Sequence, residues 1–149
     1  MAKFKYRMQN ILNVKQKLET QAKNEFATAR LKLDEEEDKL RALQDRKKGY
    51  EDEGRQMRQS TLNLQDLSDN EYAIHRMEEY IIVQNDAVKK AEKELDRARE
   101  KLTKAMQETQ IHEKLREKAF EEFKKELNAQ EAKEIDELTS YTYGQKKDE

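Results

Sequence analysis

The chain has 149 residues, of which 43% are charged and 34% hydrophobic, and it contains no Pro, Cys or Trp. A compact domain of this length buries most of the surface that its unfolded chain exposes, which requires more apolar residues than these. The absence of Cys excludes a disulfide framework and a Cys-based zinc site. The net charge of −2 and the regular apolar spacing argue against disorder. This composition is typical of a coiled coil or a long helix.

Apolar residues recur at steps of three and four through the first half of the chain, from Phe4 to Tyr50. This is the spacing of the a and d positions of a coiled coil, and it predicts a first helix over about residues 4–58. Two consecutive steps of four predict a local unwinding of the supercoil at Leu18, Ala22 and Phe26. Charged residues at such positions cost stability and can fix the register of pairing. The charged residues on this stripe are Lys15, Glu36 and Lys47.

The connection between the two halves is predicted where the stripe fades, between Gly49 and Asn70. Glycine weakens a helix by about 1 kcal/mol relative to Ala, and residues 59–67 are interpreted as a loop. The four residues from Ser68 to Glu71 have the pattern of a capping box, in which the Ser and Glu side chains satisfy free backbone N–H groups. A second helix is therefore expected over about residues 68–139, followed by a flexible tail at 140–149.

A second apolar stripe runs from Met77 to Ala105, with Gln84 as its polar interruption. The stripe then shifts register to Ile111 and Leu115. A short connection between two long helices makes them antiparallel neighbours, and a turn near residue 61 brings apolar residues of the two stripes opposite each other. The predicted fold is all-α, a single domain over 1–149 that forms a long two-helix antiparallel coiled-coil hairpin with unequal arms.

The longer arm of this hairpin is predicted to extend beyond its partner helix. Because Phe4 pairs near residue 118, residues from about Ala119 onward have no partner within the chain. They nevertheless carry apolar residues at helical spacing, which implies a binding partner. A coiled coil formed between two chains would show the same stripes, so the periodicity alone also allows a structural coiled-coil dimer.

No catalytic or cofactor site is predicted. Three scattered glycines cannot form a phosphate-binding loop, and His75 and His112 are too far apart on one helix to share a metal ion. A two-helix rod offers no pocket for a small-molecule substrate. Residues 1–33 hold eight basic and two acidic residues, but these bases are not interleaved with aromatic residues, so no nucleic acid is expected to bind. The chain shows no apolar signal segment and no membrane-spanning run, which predicts a cytoplasmic protein.

Three blocks of the sequence have a distinctive order of charged, aromatic and apolar residues. Residues 3–12 read Lys-Phe-Lys-Tyr-Arg-Met-Gln-Asn-Ile-Leu. Residues 113–123 read Glu-Lys-Leu-Arg-Glu-Lys-Ala-Phe-Glu-Glu-Phe, and residues 131–138 read Glu-Ala-Lys-Glu-Ile-Asp-Glu-Leu. The first block resembles the opening of the FliJ family, small coiled-coil proteins of the bacterial flagellar type III export apparatus. The other two are similar to blocks near the end of FliJ chains, so the resemblance covers essentially the whole sequence.

The resemblance implies a protein without enzymatic activity that binds three kinds of partner. FliJ-like chains resemble the central stalk of rotary ATPases, and they are associated with the hexameric export ATPase, the transmembrane export gate and export chaperones. The implied location is the cytoplasm, at the inner face of the membrane where the flagellum begins. The implied contacts with the ATPase ring are Phe4, Met8, Ile11, Phe120, Phe123, Leu127, Ile135 and Leu138. The implied contacts with the export gate are Tyr72, Ala73, Met77, Tyr80 and Gln84. The equivalent stalk of an injectisome or of a rotary ATPase is the alternative within this class.

Overall fold

The computed structural model describes residues 2–61 and 63–148, with side chains through residue 145, and this part of the chain contains two α-helices and no strand. Helix α1 spans Gln9–Gln59 with 51 residues, and helix α2 spans Leu64–Asp148 with 85 residues. The two helices pack against each other, which confirms the predicted two-helix coiled-coil hairpin with arms of unequal length. Residue contacts divide the chain into two units. We call residues up to Thr20 and from Lys104 onward the terminal unit, and Gln21–Thr103 the hairpin unit.

In the hairpin unit the two helices meet along a seam with strict alternation of three- and four-residue steps. Each seam residue is buried or half-buried, and none of the steps is irregular. On α1 the seam consists of Ala22, Phe26, Ala29, Leu33, Glu36, Leu40, Leu43, Lys47, Tyr50, Gly54 and Met57. On α2 it consists of Leu67, Asn70, Ile74, Met77, Ile81, Gln84, Val88, Ala91, Leu95, Ala98 and Leu102. This is the heptad pattern of a left-handed coiled coil, and its pairing is within one chain.

Two amide side chains of the seam, Asn70 and Gln84, donate hydrogen bonds across it. Asn70 Nδ2 donates a hydrogen bond of 2.8 Å to the backbone oxygen of Tyr50. Gln84 Nε2 lies 2.8 Å from the backbone oxygen of Glu36 and 2.5 Å from its carboxylate Oε2. Such bonds form only in one register of the two helices, so they favour this pairing over a shifted one. Lys32 and Lys39, at 3.0 and 3.6 Å from the Glu36 carboxylate, add charge compensation.

The hairpin unit is expected to lose stability as the pH falls below 4.5. Hydrogen bonds from Gln84 and then from Lys32 hold the pKa of Glu36 below its ordinary value of 4.5. A carboxyl group whose pKa is lowered by folding stabilises the native state at pH values above its unfolded pKa. That stabilisation is lost as the pH falls through the folded pKa.

The measurement is the Tm from circular dichroism between about pH 7 and about pH 3. Glu36→Gln should flatten the decline in Tm over the acidic part of this range. The exposed neighbour Glu35→Gln is the control and should follow the native chain. If all three chains lose Tm in parallel, Glu36 is not the source of the acid sensitivity.

The terminal unit keeps the same heptad alternation, which corrects two sequence-based predictions. Leu18 is 46% exposed and Glu19 takes the seam position, so the predicted unwinding is absent. Likewise, Ile111 and Leu115 are 57% and 45% exposed, and the predicted shift of register does not occur. Continuous pairing of two supercoiled helices keeps one register, even where polar residues then occupy it. The seam residues here are Leu12, Lys15 and Glu19 on α1 and Ala105, Thr109 and His112 on α2.

The buried Thr109 shows how this seam accepts a polar residue. Its Oγ1 lies 3.1 Å from the backbone oxygen of Lys15 on the opposite helix and 3.0 Å from that of Ala105 on its own helix. A buried hydroxyl costs free energy unless it is hydrogen-bonded, and either carbonyl can accept its proton. Thr109 is therefore buried without loss of its hydrogen bond.

The helix ends differ from the predicted bounds. Helix α2 begins at Leu64 and not at Ser68, because Asn63 acts as the N-cap: its Oδ1 accepts from the backbone N–H of Gln65 at 3.0 Å and of Asp66 at 3.4 Å. The loop predicted over 59–67 is correspondingly shorter, and Leu62 within it lies outside the described residues. The predicted end near Thr139 was also wrong, since α2 continues to Asp148.

Helix α1 begins at Gln9, after a non-helical segment over residues 2–6 and a turn at 7–8, and not near residue 4 as predicted. The backbone N–H of Gln9 donates to the oxygen of Tyr6 at 3.2 Å. The N–H groups of Ile11 and Leu12 both donate to the oxygen of Met8. Across the described residues, neither helix contains a stretch long and apolar enough to cross a membrane.

Candidate interaction surfaces

An aromatic cluster joins the start of the chain to α2 in the terminal unit. The ring of Phe4 lies edge-on to that of Phe120, with centroids 5.2 Å apart, and tilted against that of Phe123 at 5.5 Å. The guanidinium of Arg116 lies 5.7 Å from the centre of the Phe4 ring, and its Nε donates a hydrogen bond of 2.9 Å to Gln9 Oε1. Aromatic pairs of this kind contribute about 0.5–1.5 kcal/mol beyond the area they bury.

This cluster corrects the predicted limit of intrachain pairing. Residues from Ala119 onward were expected to lack a partner within the chain, but Phe120 and Phe123 both pack on Phe4. The non-helical segment before Gln9 makes this contact possible, because it lets Phe4 reach past the point at which a straight helix would pair it. The exposed part of α2 therefore starts later, and residues 128–145 are exposed throughout; we call this segment the C-terminal arm.

The predicted ring-contact residues therefore fall into three groups. Phe4, Phe120 and Phe123 form the aromatic cluster. Leu127 lies one turn after Phe123 on α2 and is half-buried. Ile135 and Leu138 lie on the C-terminal arm and are 62% and 66% exposed. The third group consists of Met8, in the turn before α1, and Ile11 in its first turn, and both are exposed.

The predicted gate-contact residues divide into seam and surface positions in the hairpin unit. Met77 is buried, and the half-buried Gln84 side chain donates a hydrogen bond to Glu36, so both contribute to the seam. Tyr72 and Tyr80 are exposed, and Ala73 is half-buried beside the seam.

Three surface residues near these tyrosines were missed by sequence reasoning. The guanidinium of Arg76 lies 5.2 Å from the centre of the Tyr80 ring and donates a hydrogen bond of 3.0 Å to its hydroxyl. Ile82 and Val83 are exposed on the following turn. For Arg76 and Val83 the sequence contained a signal, because residues 73, 76, 80 and 83 repeat the steps of the seam one position away from it.

The terminal unit has a second set of exposed apolar residues beside its seam. Ile11, Val14 and Leu18 are exposed on α1, and Ile111 and Leu115 are exposed on α2. We call these five residues the lateral patch. Of them, only Ile11 was predicted as a contact residue, since Leu18, Ile111 and Leu115 were assigned to the seam.

The surface chemistry gives no sign of a metal centre in the part of the chain that the structure describes. No group of His, Asp and Glu side chains is arranged to hold a metal ion there. His75 lies 3.9 Å from Glu78 and 3.2 Å from Glu79, all three on one exposed helix face. What these surfaces offer is apolar and aromatic area with charged borders, which suits protein partners.

Comparison with known proteins agrees with this architecture. The family model described as "Flagellar FliJ protein" matches residues 4–148. A solved structure described as that of a YscO homolog, CT670 from Chlamydia trachomatis, has a TM-score of 0.73 at 23% sequence identity and covers 99% of both chains. At this identity the likeness shows a shared fold. No curated protein sequence is significantly similar to the chain.

Proposed function

The chain belongs to the FliJ family, whose members are components of the type III export apparatus, and we propose that it binds the hexameric export ATPase through its terminal unit. In this proposal it acts as a central stalk without catalysis of its own. It links the ATPase ring to the transmembrane export gate and to export chaperones, in the cytoplasm at the base of the flagellum.

The observation that carries the ring-binding proposal is the exposed apolar surface of the C-terminal arm next to a fixed aromatic cluster. Ile135 and Leu138 are separated by one turn of α2 and more than 60% exposed. Contiguous apolar surface is rarely left exposed without a binding role. The Phe4 cluster holds the start of the chain against α2, so a partner would meet both chain ends as one surface.

The gate-binding proposal rests on the two exposed tyrosines of the hairpin unit. Tyr72, Tyr80 and Ala73 form its surface, and Met77 and Gln84 support it from the seam. Arg76, stacked on Tyr80, places a cation at its centre. Tyrosine and arginine are enriched among the residues that dominate binding energy at protein interfaces.

We expect a variant with Ile135→Asp and Leu138→Asp to lose binding to the purified export ATPase. Carboxylates in the middle of an apolar contact lose hydration without gaining a partner, which costs several kcal/mol. The measurement is co-sedimentation with the ATPase, together with its hydrolysis rate and its assembly into rings. Because both residues are exposed, the variant should keep the helical circular dichroism of the native chain.

Leu31→Asp provides the matched control, since Leu31 is 64% exposed on α1 of the hairpin unit. It should bind the ATPase as the native chain does. A native chain that changes neither ring assembly nor hydrolysis rate would contradict the proposal as a whole. Equal binding by the arm variant and the control would remove the C-terminal arm from the contact.

A further inference from the structure

Building on the ATPase-binding proposal, we propose that the lateral patch docks an acidic amphipathic helix of the ATPase. This helix would complete a local three-helix bundle in the terminal unit. Three features support this docking site: the arrangement of five exposed apolar residues, the charges beside them and one ion pair between the two helices.

The α1 and α2 parts of the patch lie on the same side of the seam. Lys15 Nζ is 2.7 Å from Glu108 Oε2, across the two helices. On α1, Ile11 precedes Lys15 by four residues and Leu18 follows it by three, so both are its neighbours on the helix surface. On α2, Ile111 follows Glu108 by three residues and precedes Leu115 by four. The ion pair therefore joins the two apolar stripes into one patch.

The spacing within each stripe suits a helix as the occupant. Ile11, Val14 and Leu18 repeat at three and four residues, as do the seam residues that pack α1 on α2. Two such stripes on antiparallel helices border a shallow groove, and a third helix with its own apolar stripe can pack into it by the same interdigitation. All five residues are at least 40% exposed, so this groove is free to receive a partner.

The charged residues around the groove favour a docking helix with negatively charged flanks. Exposed lysines border the groove on its outer sides: Lys17 on α1, three residues after Val14, and Lys114 and Lys118 on α2, each three residues after a patch residue. The carboxylate beside the patch, Glu108, is already paired with Lys15. A docking helix with Asp or Glu on its flanks would meet lysines on both sides, whereas lysine flanks would be repelled.

The same charges argue against a second copy of the chain as the occupant. A copy related by two-fold symmetry would place each lysine border against a lysine border. An anionic membrane would attract the lysines, but the two stripes border a groove at helical spacing, which suits the interdigitating side chains of a helix.

The test uses two synthetic helical peptides of about three heptads with the same leucine stripe, one flanked by Glu and the other by Lys. We expect the full-length chain to bind the Glu-flanked peptide at least about tenfold more tightly in fluorescence anisotropy. Ile111→Glu with Leu115→Glu should lower this affinity about tenfold or more. Ile82→Glu with Val83→Glu, a more exposed apolar pair in the hairpin unit, should leave the affinity unchanged.

Reversal of the lysine border, with Lys17→Glu, Lys114→Glu and Lys118→Glu, should transfer the preference to the Lys-flanked peptide. Equal binding of both peptides, or affinity that survives the patch variant, would overturn the proposal. So would sedimentation showing a dimer that the patch variant abolishes, or binding of the native chain to anionic phosphatidylserine vesicles that the same variant removes.

Failure here is distinguishable from failure of ATPase binding. If the Ile111→Glu, Leu115→Glu chain still co-sediments with the ATPase while the Ile135→Asp, Leu138→Asp chain does not, the ring proposal stands and the lateral patch has no part in it. Loss of co-sedimentation in both variants, with both helical by circular dichroism, is the result expected if the two surfaces act together.

Discussion

Leu95→Ala is expected to destabilise the hairpin unit by about 2–4 kcal/mol. Leu95 lies in the seam and is only 6% exposed. A two-helix seam has a single layer of buried side chains, and many of its positions here are occupied by alanine or by polar residues. Among the described residues of this unit, the buried apolar seam residues larger than alanine are Met77, Val88 and Leu95, each at most 9% exposed. Removing one of them deletes a large share of the apolar area that pairs the helices.

The measurement is urea unfolding followed by helical circular dichroism, and Leu31→Ala is the control. Leu31 belongs to the same unit but is exposed, so its replacement should change the free energy of unfolding by no more than about 0.5 kcal/mol. Alanine also has the higher helix propensity, which favours the control slightly. Equal losses for the two variants would mean that the seam does not determine the stability of this unit.

The fold class could be predicted from the sequence because periodicity and composition point the same way. Steps of three and four persist over both halves, and the chain has no proline to interrupt them. The register was harder to predict, since hydrophobicity and seam position disagree in the terminal unit. There the seam takes Glu19, Thr109 and His112, while the apolar residues Leu18 and Ile111 lie outside it. The register in which the two helices pair along their length decides which residues lie in the seam. The apolar pattern of one helix alone does not reveal that register.

The ends of the helices were mispredicted for a local reason. Asn63 and Ser68 are both good N-cap residues. Glu71, three residues after Ser68, completes a capping-box pattern and so favoured Ser68 in the prediction. The structure uses Asn63, whose Oδ1 accepts from the backbone N–H groups of Gln65 and Asp66. At the other end, once α2 is formed, each further residue adds one hydrogen bond at little cost. The helix therefore extends through the polar tail.

The candidate contact residues were predictable in part. Exposed apolar residues on the C-terminal arm follow from the lack of a partner stripe, and Ile135 and Leu138 are found exposed as expected. The Phe4 cluster could not be predicted from periodicity, because it depends on a non-helical segment that folds against α2. Met77 and Gln84 were chosen for the surface by family resemblance, although the heptad count alone places them in the seam.

Gly54→Ala is expected to destabilise the hairpin unit by about 1–3 kcal/mol, although alanine is the better helix former. Gly54 is a buried seam residue of α1, and a Cβ built on it would lie 2.5 Å from Oδ1 of Asn70. Asn70 is itself buried, and its Nδ2 donates to the backbone oxygen of Tyr50. The added methyl group must therefore push the helices apart or break this hydrogen bond.

Gly49→Ala is the control, because it changes helix propensity without a steric collision. Gly49 lies on the exposed side of the same helix, and a Cβ there would meet no atom within 4 Å. Its replacement should stabilise the unit by up to about 1 kcal/mol through helix propensity alone. Asn70→Ala made together with Gly54→Ala should cost less than the sum of the two single changes, because the smaller side chain removes the collision. If Gly54→Ala raised stability as Gly49→Ala does, the close approach of the two helices at Asn70 would not exist in solution.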